Sequence, residues 1–462
     1  MIITSDKVQP QAYDCIIVGS GPAGAVLARK LAEAGRKILM LESGGFEFDA
    51  DRQENLNVIS ASGHFPPEHW PFHWMRALGG TSGIWAGWCM PLDERDFREW
   101  PIGLSDLKGF YRAAYEEHLR SIDFLDFSEA LNSDFHYKPF SIGEIVRYGQ
   151  NYLDFFTNNK SIDVLTNTSA VRLFQSPARD TIIGLRLFEH QSQRTSMLDV
   201  SAWTQVILCA GGLGNPQILL ASRDGEDFAV GNVRDQVGRY LCDHPHVNDC
   251  GMVLMSSKVE FPRPSVFMGN FVDAIQPSDA LYDEIGGYAV SLSLTTLSEI
   301  PTDDFTQHLV SRLQPEVRAF SITDRSEMKP DADNRIEIAP ELTASGLPKL
   351  KIRCVIDDRA FVAIQTCLTR LGQRLTLEES GRVWIDDTAI FRDYYGGGHY
   401  MCTTRMGNDP ENSVVDSDCR VHGYENLYIA GSSVFTTGGC ANPTLTITAL
   451  SMRLAEHIEA KF

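Results

Sequence analysis

The sequence predicts an α/β chain, α+β overall: a Rossmann-type nucleotide-binding domain, discontinuous in sequence, with an inserted antiparallel-sheet domain. Three observations carry that expectation. The chain opens on a strand, a glycine-rich turn, a helix and a second strand. The same grammar returns at 204–222 and again at 396–445. Between them, strand-like runs alternate with one clear amphipathic helix. The expected division is 1–250 with 396–462 for the nucleotide-binding domain and 251–395 for the insert, which would bind substrate.

The elements follow in order. YDCIIV (13–18) is a short apolar run ending at glycine, the pattern of a strand buried on both faces of a parallel sheet. GSGPAG (19–24) makes the turn, AVLARKLAEAGR has helical spacing with Gly35 as a stop, and KILMLE (37–42) is the next strand. Residues 46–100 are rich in aromatics, glycine and proline without clean periodicity, which predicts loops and short helices. A helix is predicted over 105–120 with Ser105 as its cap. Strands are predicted near 162–175 and 181–188, then in YAVSLSLTT, NRIEIAP and KLKIRCVI, with the amphipathic helix at 358–377 and a last helix from about 443.

Charge narrows the classes of partner. Forty-one Lys and Arg stand against 61 Asp and Glu, a formal net charge of −20. Nucleic acid and anionic membrane surfaces both select a basic face, so neither is expected as a partner. The ten cysteines are scattered singly, which suits reduced thiols in a cytoplasm rather than a disulfide framework. The first residues lack the charged start and apolar run of a signal peptide, and no stretch of 18 apolar residues predicts a membrane-spanning helix. Oligomeric state is not legible.

Gly19-Ser20-Gly21-Pro22-Ala23-Gly24 is a G-x-G-x-x-G placed between a strand and a helix, with Glu42 ending the next strand. Gly19 permits the tight turn, Gly21 admits a pyrophosphate to the backbone, and Gly24 lets helix and strand pack closely. The helix N-terminus then offers unpaired N–H groups to phosphate, and Glu42 offers a carboxylate to ribose hydroxyls. Three further glycine-rich loops follow: RALGGTSGIWAGW (76–88), ILCAGGLGNPQ (207–217) and YIAGSSVFTTGGCANPT (428–444). A large flavin dinucleotide would use them, which favours FAD over NAD.

With these motifs in place, the chain resembles the glucose–methanol–choline (GMC) flavin oxidoreductases, most closely the pyranose-oxidase-like branch. The resemblance covers 13–45, 76–120, 204–247 and 396–458, with EMKPDADNRIEIAP…GLPKLKIRCVI (327–356) similar to a further family segment. It implies FAD-dependent oxidation of an alcohol, with the hydroxyl proton passing to a histidine and a hydride to flavin N5. It places the base at His399, six residues before the Arg405 of R-M-G, and its partner at Asn442 in A-N-P-T. The implied FAD contacts are Gly19, Ser20, Gly21, Pro22, Gly24, Glu42, Ser43, Gly79, Gly80, Thr81, Ser82, Trp85, Gly87, Val171, Ala210, Gly211, Gly431, Ser432, Asn442, Pro443 and Thr444. Some relatives bind FAD covalently through a histidine just before the tryptophan of the 76–88 loop. Ile84 stands there before Trp85, so noncovalent FAD is expected.

An imidazole titrates near neutral pH and suits the exchange of an alcohol proton. Pro443 suits the first turn of a helix, whose positive end would favour negative charge on a reduced flavin. Asn442 has a competing role as an N-cap. CDHPHVNDC (242–250) offers Cys242, His244, His246 and Cys250 as ligands, but zinc sites usually show two close pairs separated by a loop, and the run is similar to the family's flavin-side loop; no metal is expected. WPFHW (70–74) reads as loop packing or a roof over the substrate entrance.

The leading expectation is oxidation of a sugar, aminosugar or polyol-like alcohol, passing electrons to O2 or another acceptor. Oxidation of an aromatic or aliphatic primary alcohol is the alternative on the same fold, as is a redox-silent FAD-containing lyase. Nothing in 255–325 identifies the substrate.

Overall fold

The computed structural model describes all residues except 5–6, 9–11, 51–52, 54–57, 119–126, 226–227, 258–269 and 313–315. The opening unit forms as predicted. The strand Cys15–Val18 lies at the centre of a five-stranded parallel sheet, flanked by Ile38–Leu41 and Gln205–Leu208. Ile162–Leu165 and Leu427–Ile429 complete the edges. The three central strands are buried at every position, which is why they read as unbroken apolar runs.

The helix Pro22–Glu33 starts at the turn, with Pro22 in its first turn where a missing N–H costs nothing. It packs against the last helix, Thr444–Glu459, which also contacts Leu104–Glu117. The cap of Leu104–Glu117 differs from expectation. Ser105 lies inside the helix, the N-cap is Gly103, and Asp106 accepts a hydrogen bond from the Gly103 N–H at 2.8 Å. A carboxylate at the third helical position satisfies that donor, so no serine cap is needed. The end of the 105–120 expectation falls outside the described residues.

The second layer is larger than the predicted insert. Pro245–Ser256, Val317–Arg325, Leu292–Thr296, Ala274–Pro277 and Gly381–Ile385 belong to one eight-stranded sheet. That sheet also takes in Glu129–Ala130 and Phe135–Tyr137. The boundary expected at 250/251 therefore falls inside a strand. Arg335–Leu342 and Pro348–Cys354 pair with each other antiparallel, but they belong to a separate sheet with Val58–Gly63, which joins in parallel. That strand comes from the segment expected to hold only loops and short helices; five of its six residues are not buried, so it carries no apolar alternation to read. Helix Asp358–Leu377 has the predicted bounds, with Asp357 capping the Arg359 N–H. The ten cysteines are all buried and none is in a disulfide, and no helix among the described residues is long and apolar enough to cross a membrane.

Candidate active site

A cavity of about 450 Å³ runs from the 19–24 turn to His399 and Asn442. At the turn, Gly24 allows an approach no other residue would: a Cβ there would sit 2.0 Å from the Gly19 carbonyl oxygen. A Cβ on Gly21 would meet nothing within 4 Å, because Gly21 faces the cavity. Glu42 is buried; it accepts bonds from Ser20 Oγ at 2.5 Å, the Ser20 N–H at 3.1 Å and the Gly44 N–H at 2.8 Å. Burial pushes its carboxyl up, and these donors act against that shift. Arg76 lies nearby, fully desolvated, its guanidinium pulled down to about 10 by burial against the charge of Glu42. A donor-rich turn at a helix N-terminus, a ribose-length carboxylate and a cavity reaching the far histidine fit an extended dinucleotide.

Most of the expected FAD residues line this cavity: Gly19, Ser20, Gly21, Pro22, Glu42, Ser43, Gly80, Thr81, Ser82, Trp85, Ala210, Gly211, Gly431, Ser432, Asn442, Pro443 and Thr444. Four stand behind it. Gly24 supports the turn. Gly79 donates its N–H to Ser20 Oγ at 2.9 Å and packs on Gly149. Gly87, with φ of 76°, turns the chain between the lining residues Ala86 and Trp88. Val171 packs with Phe188 and Leu347; its neighbour Ala170 meets the cavity instead, because successive side chains of a strand point to opposite faces.

At the far end, His399 is half-buried and its Nδ1 lies 2.9 Å from His244 Nδ1. The expected partner, Asn442, lines the same cavity, and its Oδ1 is buried with no hydrogen-bond partner. It does not cap the last helix, whose N-cap, Pro443, has no side-chain bond. That helix has no acidic residue in its first turn, so its positive end faces the cavity uncompensated.

Asp243 fixes the histidine loop. Its Oδ1 accepts the His399 N–H and the His244 N–H, each at 2.7 Å; its Oδ2 accepts the Gly398 N–H and contacts His69 Nε2, both at 3.1 Å. Burial would raise this carboxyl, but the His69 bond, the His399 and His69 rings and the His399 N–H hold it well below the usual carboxylate range. Residues 396–398 make room for this packing. Cβ atoms there would meet Asp243 and His69, His246 and His399, and His73 respectively, each within 3.1 Å, and Gly398 has φ of 71°.

The CDHPHVNDC run divides. His244 and His246 join His399, with one ring nitrogen of each within 4.8 Å of the others. Cys242 instead meets Cys402, Sγ to Sγ at 3.3 Å, and the Cys250 thiol contacts the Ile322 carbonyl. The four-ligand set weighed from sequence therefore does not assemble. Burial holds the three imidazoles neutral: His244 falls to about 4, His399 to about 3 with His244 adding to the effect, and His246 well below its ordinary value. Of WPFHW, Trp70 is buried, Phe72 is exposed, and His73 and Trp74 border the cavity. Arg325 and His246, absent from the expected contacts, also line this end.

The buried neutral histidines give a stability test. A histidine lowered by folding takes up protons on unfolding below about pH 6.5, so stability is lost as pH falls through that value. Relative to His246→Gln, the wild type is expected to lose about 2 kcal/mol between pH 7 and pH 5, read from denaturant midpoints. The comparison cancels opposing groups such as Asp324, which burial raises to about 8. Equal pH slopes for both proteins would contradict a buried neutral His246.

Comparison with known proteins agrees with this geometry. The profile described as GMC oxidoreductase matches residues 330–451, and that of an NAD(P)-binding Rossmann-like domain matches 17–46. The chain is 26% identical over 302 residues to the fructose dehydrogenase large subunit of Gluconobacter japonicus; the match covers 63% of this chain and 53% of that protein. It is 22% identical over 542 aligned positions to 2-methyl-1,2-propanediol dehydrogenase of Mycolicibacterium austroafricanum, covering 97% of this chain and 95% of that protein. The solved structure of pyridoxine 4-oxidase from Mesorbium loti has the same fold, with a TM-score of 0.62 at 17% identity over 96% of this chain and 99% of that one. The segment that carries His399 and Asn442 thus matches the GMC oxidoreductase profile, and the chain is similar along nearly its whole length to a diol dehydrogenase.

Proposed function

We propose that this chain oxidises the CH–OH group of a small alcohol to its carbonyl, with His399 accepting the hydroxyl proton. The observation that carries the reading is one cavity joining the dinucleotide turn to a neutral imidazole and an unpartnered Asn442 oxygen. Bound FAD supplies the two-electron acceptor for the hydride that leaves the carbinol carbon. The turn at 19–24 would hold the pyrophosphate, Glu42 the ribose hydroxyls, and the 80–86, 210–214 and 431–444 loops the ring end. The FAD-binding part is drawn from 1–250 and 396–462 apart from the strand Pro245–Ser256, which crosses that boundary, and of 251–395 Arg325 and Leu347 reach the cavity.

The hydrogen bond between His399 and His244 sets the useful tautomer. If His399 donates from Nδ1, its Nε2 keeps a lone pair for the alcohol proton; if His244 donates, Nε2 carries a hydrogen and is no base. The backbone of Gly438 and Gly439 beside His244 favours a proton on that ring; its Nε2 is buried without a hydrogen-bond partner, and a proton there would leave Nδ1 as the acceptor. His244 is thus a positioning residue for the base. Asn442, with a free oxygen and an amide, can orient the substrate hydroxyl. The names of the sugar and diol dehydrogenases among the relatives support a sugar, aminosugar or polyol-like substrate. Trp74, Trp85 and Trp88 along the same wall favour a second reading, an aromatic primary alcohol. Electrons then pass to O2 or another acceptor. Ten cysteines without a disulfide suit a reducing compartment such as the cytoplasm.

The FAD is noncovalent. Ile84, half-exposed on the cavity wall, has no atom able to bond the flavin. Acid precipitation is expected to release all flavin to the supernatant; a yellow pellet would contradict this. Function itself is tested by single turnover: one carbonyl product should form per flavin reduced, and reduction without a carbonyl would overturn the reading.

A further inference from the structure

Among the described residues, three groups lining the cavity carry formal charge at neutral pH: Glu42, Arg76 and Arg325. Glu42 and Arg76 offset each other at the dinucleotide end. Arg325 stands alone at the other end. It closes the strand Val317–Arg325, opposite His246 on Pro245–Ser256, and its backbone bonds Ser291 in both directions. The guanidinium lies over the Trp88 ring, 4.1 Å from the centroid. Its Nη1 is buried with no hydrogen-bond partner, and among the described residues it makes no ion pair. Asp324, next in the chain, points to the opposite face of the strand, where it accepts a bond from Ser326 Oγ at 2.6 Å. The imidazoles around Arg325 are neutral, and its charge acts on both His246 and His399. Among the described residues no carboxylate pairs with this cation; Tyr395 and Asp324 act on it only through space.

An unpaired cation withdrawn from water is costly unless a ligand completes it. A guanidinium held over an indole with an unpartnered Nη1 keeps hydrogen-bond donors for a carboxylate, which a guanidinium can receive through two parallel hydrogen bonds. We propose that the substrate is an alcohol bearing a carboxylate, and that Arg325 binds the carboxylate while the hydroxyl meets His399 and Asn442. The proposal rests on the alcohol-oxidase reading above and names its substrate class. One guanidinium among neutral rings matches a monoanion better than a phosphate dianion, which needs more donors. The chain's net charge of −20 makes an uncompensated cation in this cavity the more specific.

The test uses the holoenzyme and matched pairs: benzyl alcohol with 4-(hydroxymethyl)benzoate, and D-glucose with D-glucuronate and glucose 6-phosphate. Anaerobic flavin reduction is measured for the wild type, Arg325→Gln and Arg325→Lys, with benzoate against benzamide as a non-reacting binding pair. Expected results are a wild-type preference for the carboxylate member of about 10- to 150-fold in reduction efficiency, lost in Arg325→Gln. Arg325→Lys should keep part of it, and benzoate should bind more tightly than benzamide only when Arg325 is present. The proposal is overturned if the wild type prefers the neutral member, if the phosphate ester surpasses both carboxylates, or if Arg325→Gln slows both members of a pair equally. The benzoate arm separates the two readings. If no alcohol reduces the flavin yet benzoate binding depends on Arg325, alcohol oxidation fails and the carboxylate site stands; if alcohols reduce it but benzoate binds no better than benzamide, only the carboxylate site fails.

Discussion

Replacing His399 with alanine is expected to slow flavin reduction by an alcohol about 10²- to 10⁴-fold while FAD content stays at the wild-type level. The ring is the only one of the three clustered imidazoles hydrogen-bonded through Nδ1 to a second histidine while lining the cavity beside Asn442. Its loop is fixed by Asp243 through backbone N–H groups, which alanine retains. Loss of the imidazole therefore removes the proton acceptor without releasing the loop. Because burial holds His399 near 3, its imidazole is already deprotonated at neutral pH. Wild-type reduction should consequently show no loss from His399 protonation between pH 8 and pH 5. Stopped-flow reduction at a saturating alcohol concentration measures both effects. Reduction of His399→Ala at the wild-type rate would remove His399 as the base.

The second large effect concerns the turn. Gly24→Ala puts a methyl 2.0 Å from the Gly19 carbonyl oxygen and 3.3 Å from Cys209 Cβ, so backbone must move. The expected cost is about 3 kcal/mol or more, together with loss of bound FAD. Gly21→Ala is the informative contrast. Its Cβ meets no protein atom within 4 Å, so the apoprotein should melt as the wild type does. The methyl projects into the cavity, where the pyrophosphate would approach the backbone. FAD affinity should fall at least about tenfold, since each 1.4 kcal/mol is a factor of ten. Thermal melts of the apoproteins and flavin titration separate the two. Equal melting temperatures for both variants, or unchanged FAD affinity in Gly21→Ala, would contradict the packing described.

What was legible in the sequence followed from local physics. The buried strands Cys15–Val18 and Ile38–Leu41 announce themselves as apolar runs, and the amphipathic helix Asp358–Leu377 by its 3.6-residue period. The turn at 19–24 was legible because steric demand there is local, glycine against carbonyl. His399 and Asn442 were placed by resemblance to the family, and the structure lines one cavity with both. The partners of His399 were not legible in their roles. His244 lies 155 residues away in sequence, and no spacing reports that its ring meets Nδ1 of His399. CDHPHVNDC looked like ligands because cysteines flank the histidines; the fold sends those thiols to Cys402 and the Ile322 carbonyl. Arg325 escaped because one charged residue at the end of a strand has no motif. Its significance comes only from what does not surround it. The insert boundary was missed for a related reason: strands 129–137 and 245–256 join the large sheet through long-range pairing, which local periodicity cannot show.

The central claim is that electrons from a CH–OH group enter a flavin held between the 19–24 turn and His399. Anaerobic mixing of the holoenzyme with the neutral and carboxylate-bearing alcohols named above tests it most directly. The account predicts loss of oxidised-flavin absorbance with at least one of them, accompanied by one equivalent of carbonyl product and slowed about 10²- to 10⁴-fold in His399→Ala. Flavin that stays oxidised with every alcohol, in a holoenzyme that dithionite reduces normally, would contradict it and favour a redox-silent lyase on the same fold.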